Sequence, residues 1–135
     1  YARGAVNHSL VEISRLGYDV VGIDHTVEPA WARQCLAQAQ SSNRKFSEVE
    51  VNKGAQHRIA IQGNLDPAIL YARPEVIQDR VRRMFQTTTG GFGGQGALIC
   101  NLGQGITPGV DPDHLRVFLE AVHRVSKEMA DNNDD

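Results

Sequence analysis

Asp24, Gln62, Asn64, Asn101 and Gln104 are the side chains whose type and placement could do chemistry. Each stands at or just after the C-terminal end of a short apolar run, and Gly63, Gly103 and Gly105 lie beside them. Carboxylate and amide groups there can hydrogen-bond a ligand, and this edge is where barrels and open α/β sheets bind theirs. The glycines would let a substrate approach the backbone closely. Other chemistries find less support. The histidines His8, His25, His57, His114 and His123 show neither the i,i+4 pairing nor the cysteine spacing of a zinc site. Cys100 reads as a small core residue. No G-x-S-x-G elbow or Walker-type loop is present. Gly91 to Gly96 spells G-x-G-x-x-G, but it follows a helix and leads into a strand, the reverse of a dinucleotide fingerprint, and so reads as a flexible αβ loop. Asn7-His8-Ser9 matches a glycosylation acceptor by chance, since nothing points to secretion.

The elements that must position these residues alternate as βα units around a parallel sheet. Strands are expected over Tyr18 to Ile23, closed by Asp24; over Arg58 to Ile61, ending in Gln62-Gly63-Asn64; and over Ala97 to Cys100, ending in Asn101 to Gly105. Such short apolar runs suit strands buried on both faces. Val6, Leu10, Ile13 and Leu16 recur at helical spacing, with Gly17 where a left-handed C′ residue belongs. Pro29 opens a second helix carrying Trp31, Cys35, Leu36 and Ala39. Asp66-Pro67 reads as an N-cap and first-turn proline of a short helix through Tyr71. Pro74 starts a longer helix with the apolar stripe Val76, Ile77, Val81, Met84 and Phe85. Asp111-Pro112 begins the last, with Leu115, Phe118, Leu119, Val122, Val125 and Met129 facing the sheet. Residues 40–57 and 87–96 read as extended surface loops, and 131–135 as a frayed acidic tail.

At 135 residues, 41% hydrophobic and 22% charged, the chain suits one globular unit or a piece of a larger one. Fourteen basic against sixteen acidic residues leave a net charge of −2, which gives no electrostatic footprint for nucleic acid or an anionic membrane. Two distant cysteines, Cys35 and Cys100, exclude a disulfide framework and point to a reducing compartment. Without an apolar run of about 18 residues or a signal-peptide pattern, the expected location is the cytoplasm. The chain opens at Tyr1 on residues that look like the end of a strand, so earlier sequence is expected to be missing.

Three ordered strings carry a resemblance. Gly17-Tyr18-Asp19-Val20-Val21-Gly22-Ile23-Asp24 with Thr26-Val27 and Pro29, then Gln62-Gly63-Asn64-Leu65-Asp66-Pro67 with Leu70-Tyr71-Ala72, then Asn101-Leu102-Gly103-Gln104-Gly105-Ile106 with Pro108 and Asp111-Pro112, are similar to segments of uroporphyrinogen decarboxylases. Tyr1-Ala2-Arg3-Gly4-Ala5 fits as well, with Arg3 where lysine is common. The resemblance implies a cofactor-free and metal-free lyase of haem biosynthesis that converts uroporphyrinogen III to coproporphyrinogen III by removing four acetate carboxyl groups. It implies a (β/α)₈ barrel, a homodimer, and a tetrapyrrole cleft at the strand C-termini. A barrel takes about 250 residues, so 135 would hold the C-terminal three or four βα units, a single partial domain that associates with itself or with the missing N-terminal part.

By the same resemblance Gln104 occupies the position of a substrate-contacting histidine, with Asn101, Asp24 and Asn64 as further substrate-binding candidates. No catalytic residue is assigned, because the family's arginine cluster, aspartate and tyrosine lie in segments this chain does not contain. Glutamine can hydrogen-bond a carboxylate but cannot carry an imidazolium's charge. His25 stands where the family has a tryptophan, and the 40–57 and 87–96 loops are longer than expected. These departures leave two alternatives open: a decayed paralogue binding tetrapyrrole-like anions or a protein, and a zinc-dependent corrinoid or coenzyme M methyltransferase, for which Cys100 is the support.

Overall fold

A computed structural model describes residues 6–43, 59–86 and 98–131. In chain order the elements are α1 (Val6–Ser14), β1 (Val20–Gly22), α2 (Pro29–Asn43), β2 (Ala60–Leu65), a 3-10 turn (Pro67–Tyr71), α3 (Pro74–Phe85), β3 (Leu98–Leu102) and α4 (Pro112–Asp131). The three strands form one parallel sheet in the order β1-β2-β3, with Val21 opposite Ile61, Ile61 opposite Leu98, and Asn64 opposite Asn101. The α/β alternation read from the sequence is therefore present. Residues 1–5, the 44–57 and 87–96 parts of the expected loops with the Gly91–Gly96 string and His57, Arg58 and Ala97 at the expected starts of the second and third strands, and tail residues 132–135 lie outside the described residues.

Local sequence accounts for the starts of the helices. Asp66 is extended at φ −62° and ψ 120°, and its Oδ1 accepts from the Ala68 N–H, so it caps the 3-10 turn that Pro67 opens. Asp111 Oδ1 accepts from the Asp113 N–H at 2.9 Å ahead of α4. In α3, Glu75 sits in the first turn and Arg82 and Arg83 in the last, each complementing the helix dipole.

The core lies between the sheet and its helices. Val21, Ile23, Ile61 and Leu65 meet Leu10 of α1, Leu36 of α2, Ile77 and Val81 of α3, and Phe118 and Val125 of α4. Two elements are shorter than expected: the first strand is Val20–Gly22, with Tyr18 exposed, and α1 ends at Ser14, which leaves Leu16 outside it and exposed. Four further expectations need correcting. The second strand does not stop at Ile61 but continues through Gln62, Gly63 and Asn64 to Leu65, and the third continues through Asn101 to Leu102. Those amides are thus strand residues, held by the ladder. The helix from Pro29 reaches Asn43, so the long excursion does not begin at Gln40. Val76 and Leu119 are exposed, at 39% and 49%, because the buried faces are narrower and run through Ile77, Val81 and Met84, and through Phe118, Ala121 and Val125. Finally, β3 is not buried on both faces: exposure alternates along it, and Ile99, opposite Gln62, is 46% exposed on the face away from the helices. Among the described residues no helix is long and apolar enough to cross a membrane.

Candidate functional site

Three loops meet where the strands end. After β1 the chain turns at Asp24, a buried carboxylate whose Oδ1 accepts from the Thr26 N–H at 2.8 Å and from the Thr26 hydroxyl at 2.5 Å. Such an aspartate turn fixes the backbone through His25. Asn64, 8% exposed, secures the same loop from β2: its Nδ2 donates to the Asp24 carbonyl at 3.0 Å and to the Val27 carbonyl at 2.7 Å. The third loop enters from β3. The Gly103 N–H donates to the Leu65 carbonyl at 2.7 Å, prolonging the ladder by one rung.

Two glycines serve this junction. A Cβ on Gly63 would stand 2.7 Å from the Ile23 carbonyl oxygen, and its φ of 147° is one that other residues rarely adopt. A Cβ on Gly103 would stand 2.7 Å from His25 Cβ, 2.8 Å from His25 Cα, and closer still to the His25 nitrogen. Gly63 and Gly103 therefore admit protein backbone rather than substrate, which corrects their expected role. Gly105 does face open space.

The four expected substrate-binding residues thus divide. Asp24 and Asn64 are brought together and buried, with protein partners. Asn101 is exposed and Gln104 half-buried, the latter immediately after the seated Gly103. Asn101 Oδ1 accepts from the N–H of Leu102 at 2.8 Å, which leaves its amide nitrogen as the donor to offer a ligand.

Further along, the loop from Gly103 to Asp111 is fastened to the 3-10 turn. The Tyr71 hydroxyl lies 2.9 Å from Thr107 Oγ1 and donates to the Pro108 carbonyl at 2.9 Å. His114 Nδ1 lies 2.7 Å from the Leu70 carbonyl, so the ring nitrogen donates there. Sequence reasoning did not assign these roles to Tyr71, Thr107 or His114. Their partners lie 36 to 44 positions away, beyond any local periodicity, and only the Leu70-Tyr71 string marked the place.

A cavity of about 420 Å³ opens beside α3, lined by His25, Thr26, Glu28, Asp66, Arg80 and Arg83 among others. Its charges are of both signs, and Arg83 is held by Asp79 at 2.8 Å. Of the four expected substrate-binding residues only Asn64 lines it; Asp24, Asn101 and Gln104 do not. Cys100 packs against the core, and burial pushes its thiol from 9.0 up to about 12. Thiolate is the reactive and metal-binding form, so this environment works against either use. We expect Cys100 to resist thiol reagents at pH 8 in the folded chain and to react once urea unfolds it. Rapid labelling of Cys100 in the native state, located by peptide mass, would show the burial to be wrong.

The profile of the uroporphyrinogen decarboxylase family matches residues 1–125. The chain belongs to this family. Among its relatives are the uroporphyrinogen decarboxylases of Vesicomyosocius okutanii, 43% identical over 119 residues, Schizosaccharomyces pombe, 40% over 124, and Homo sapiens, 35% over 124. These alignments cover 88%, 92% and 92% of this chain but only 28%, 28% and 27% of the relatives. The chain thus spans less than a third of the length of the uroporphyrinogen decarboxylases it matches. Within the matched residues, Asn64-Leu65-Asp66-Pro67 is the end of β2 with its capped turn, and Asn101-Leu102-Gly103 the end of β3 and the residue after it.

Proposed function

We propose that this chain supplies the last strands of a (β/α)₈ barrel that decarboxylates uroporphyrinogen III to coproporphyrinogen III in the cytoplasm. The observation that carries the reading is the junction itself: the three family strings, far apart in sequence, converge where Gly103 rests on His25 and bonds Leu65. Ile99 and Val20 remain exposed at 46% and 37%, and among the described residues β1 and β3 are each paired on one side only. Further strands from the same or another polypeptide would cover these edges and close the barrel.

In that cleft the difficulty is the carbanion that loss of CO₂ would leave. Protonating the electron-rich pyrrole creates an electron sink, and a carboxylate facing the pyrrole N–H groups stabilises the cation. Arginines must neutralise the octa-acid. Neither group is assigned within this chain, so its contribution is binding and orientation. Gln104 and Asn101 hydrogen-bond substrate carboxylates, while Asp24 and Asn64 serve the site by holding the loop beneath. The reading calls for no cofactor and implies assembly with a second copy or with the complementary part of the barrel.

An anaerobic assay with uroporphyrinogen III, separating products by remaining carboxyl count, tests this. It is run on the folded chain alone and mixed with the N-terminal portion of the Vesicomyosocius relative. Partly or fully decarboxylated product is expected. A folded, assembled sample that neither binds nor converts the substrate would overturn the proposal. Gln104→His separates an active enzyme from a decayed one: a gain of about 100-fold would mark loss of the imidazole's contribution, and an unchanged rate in an already active assembly would show that glutamine suffices.

A further inference from the structure

We infer that Tyr71 is a positioning residue that sets the place of Gln104 from the connection after the neighbouring strand β2, an inference that rests on the substrate-binding role proposed for Gln104. The loop after β3 is fixed at its start by the Gly103 N–H on the Leu65 carbonyl and at its end by His114 Nδ1 on the Leu70 carbonyl. Between these anchors Gln104 to Thr107 have no regular structure, Gly105 faces open space, and Ile106 is 50% exposed. Packing therefore does little to hold this stretch.

Tyr71 supplies what packing does not. A phenol has one proton and an oxygen that accepts. The proton goes to the Pro108 carbonyl, so the Thr107 hydroxyl donates to the tyrosine oxygen, and two consecutive residues are tied to one atom. Tyr71 in turn is fixed, because it ends a 3-10 turn capped by Asp66 and rooted in the core through Pro67 and the fully buried Leu70. Thr107 is within about 10 Å of Gln104 along even a fully extended chain, so drift at one end of the stretch reaches the other. The ring is itself 54% exposed. A half-exposed hydroxyl contributes little to global stability, which separates a positioning role from a structural one: its loss should appear in ligand affinity and barely in melting.

Equilibrium dialysis of the full chain against uroporphyrinogen III under anaerobic conditions, in a double-mutant cycle, tests the inference. Tyr71→Phe keeps the ring and removes both bonds; its Kd should rise about 10-fold with an unchanged melting midpoint. Gln104→Ala should weaken binding by a similar factor, and Tyr71→Phe should add nothing in the Gln104→Ala background, because it acts through that side chain. Unchanged affinity in Tyr71→Phe, or effects that multiply in the double variant, would overturn the positioning role while leaving the proposed function standing. Failure of the wild-type chain to bind even when mixed with the N-terminal portion of the Vesicomyosocius relative would remove the proposed function, and the positioning role with it. Should Tyr71→Phe not fold, Thr107→Val removes one of the two bonds and should give a smaller rise in Kd, again absent in the Gln104→Ala background.

Discussion

Gly103→Ala is expected to destabilise the chain by about 3 kcal/mol, near the upper end for overpacking a site that cannot relax. The added methyl would meet three atoms of His25, two of them backbone, and no rotamer can move a Cβ aside. Retreat of the β3 loop would break the 2.7 Å bond from the Gly103 N–H to the Leu65 carbonyl. Retreat of the other partner would disturb the aspartate turn, where Asp24 and Thr26 hold the His25 backbone. Either adjustment gives up a hydrogen bond at a buried junction. Gly105→Ala is the control. Nothing lies within 4 Å of its Cβ, so this substitution should be neutral or stabilise by about 0.5 kcal/mol through a stiffer unfolded chain. Urea denaturation of both variants checks the pair. Equal midpoints would mean that the contact between the β1 and β3 loops is not as close as described.

That junction also shows what the sequence could and could not reveal. The alternation of strands and helices was legible because Val21, Ile61, Ile77 and Phe118 sit in short apolar runs or helical stripes whose period is local. The caps at Asp66 and Asp111 were legible for the same reason, since each acts within two residues of itself. The polar strand ends were found, but their division was not. Asn64 and Asn101 are paired neighbours in register, yet one is buried beneath a loop and the other exposed. The difference arises because the β1 loop bends over Asn64, a contact 37 to 40 positions long that no spacing rule encodes. Gly63 and Gly103 could be recognised as places of close approach, but not whether ligand or backbone would approach. Exposure of Val76 and Leu119 followed from helix faces narrower than their apolar content, which only the neighbouring helix defines.

Asn64→Asp should be the most informative substitution at the site, because it changes almost no volume and reverses the hydrogen-bonding sense of one group. The amide now donates to two carbonyls, Asp24 at 3.0 Å and Val27 at 2.7 Å. An ionised carboxylate can only accept, so it would face both oxygens without a proton to give. Leaving a buried charge so placed costs about 3–5 kcal/mol, more than the roughly 2–3 kcal/mol expected of Asn64→Ala, which strands the two carbonyls but adds no charge. The pH dependence has a definite sign. Burial, the two carbonyls and the nearby Asp24 carboxylate all disfavour ionisation, so the introduced group would titrate above its ordinary value when folded. The folded state then holds a proton that the unfolded state has released. Relative to wild type, the variant is therefore least impaired below about pH 4, where the carboxyl is protonated in both states and its O–H can serve one carbonyl, and it loses stability as pH rises through the folded value. Asn64→Ala should show no such slope. Urea midpoints for the three proteins between pH 4 and pH 8 decide the matter, and a flat difference between Asn64→Asp and wild type would show that residue 64 is solvated rather than enclosed. Because the loop released by this change carries the His25 backbone on which Gly103 rests, the substrate binding proposed for Gln104 should weaken in parallel with stability along the same pH course.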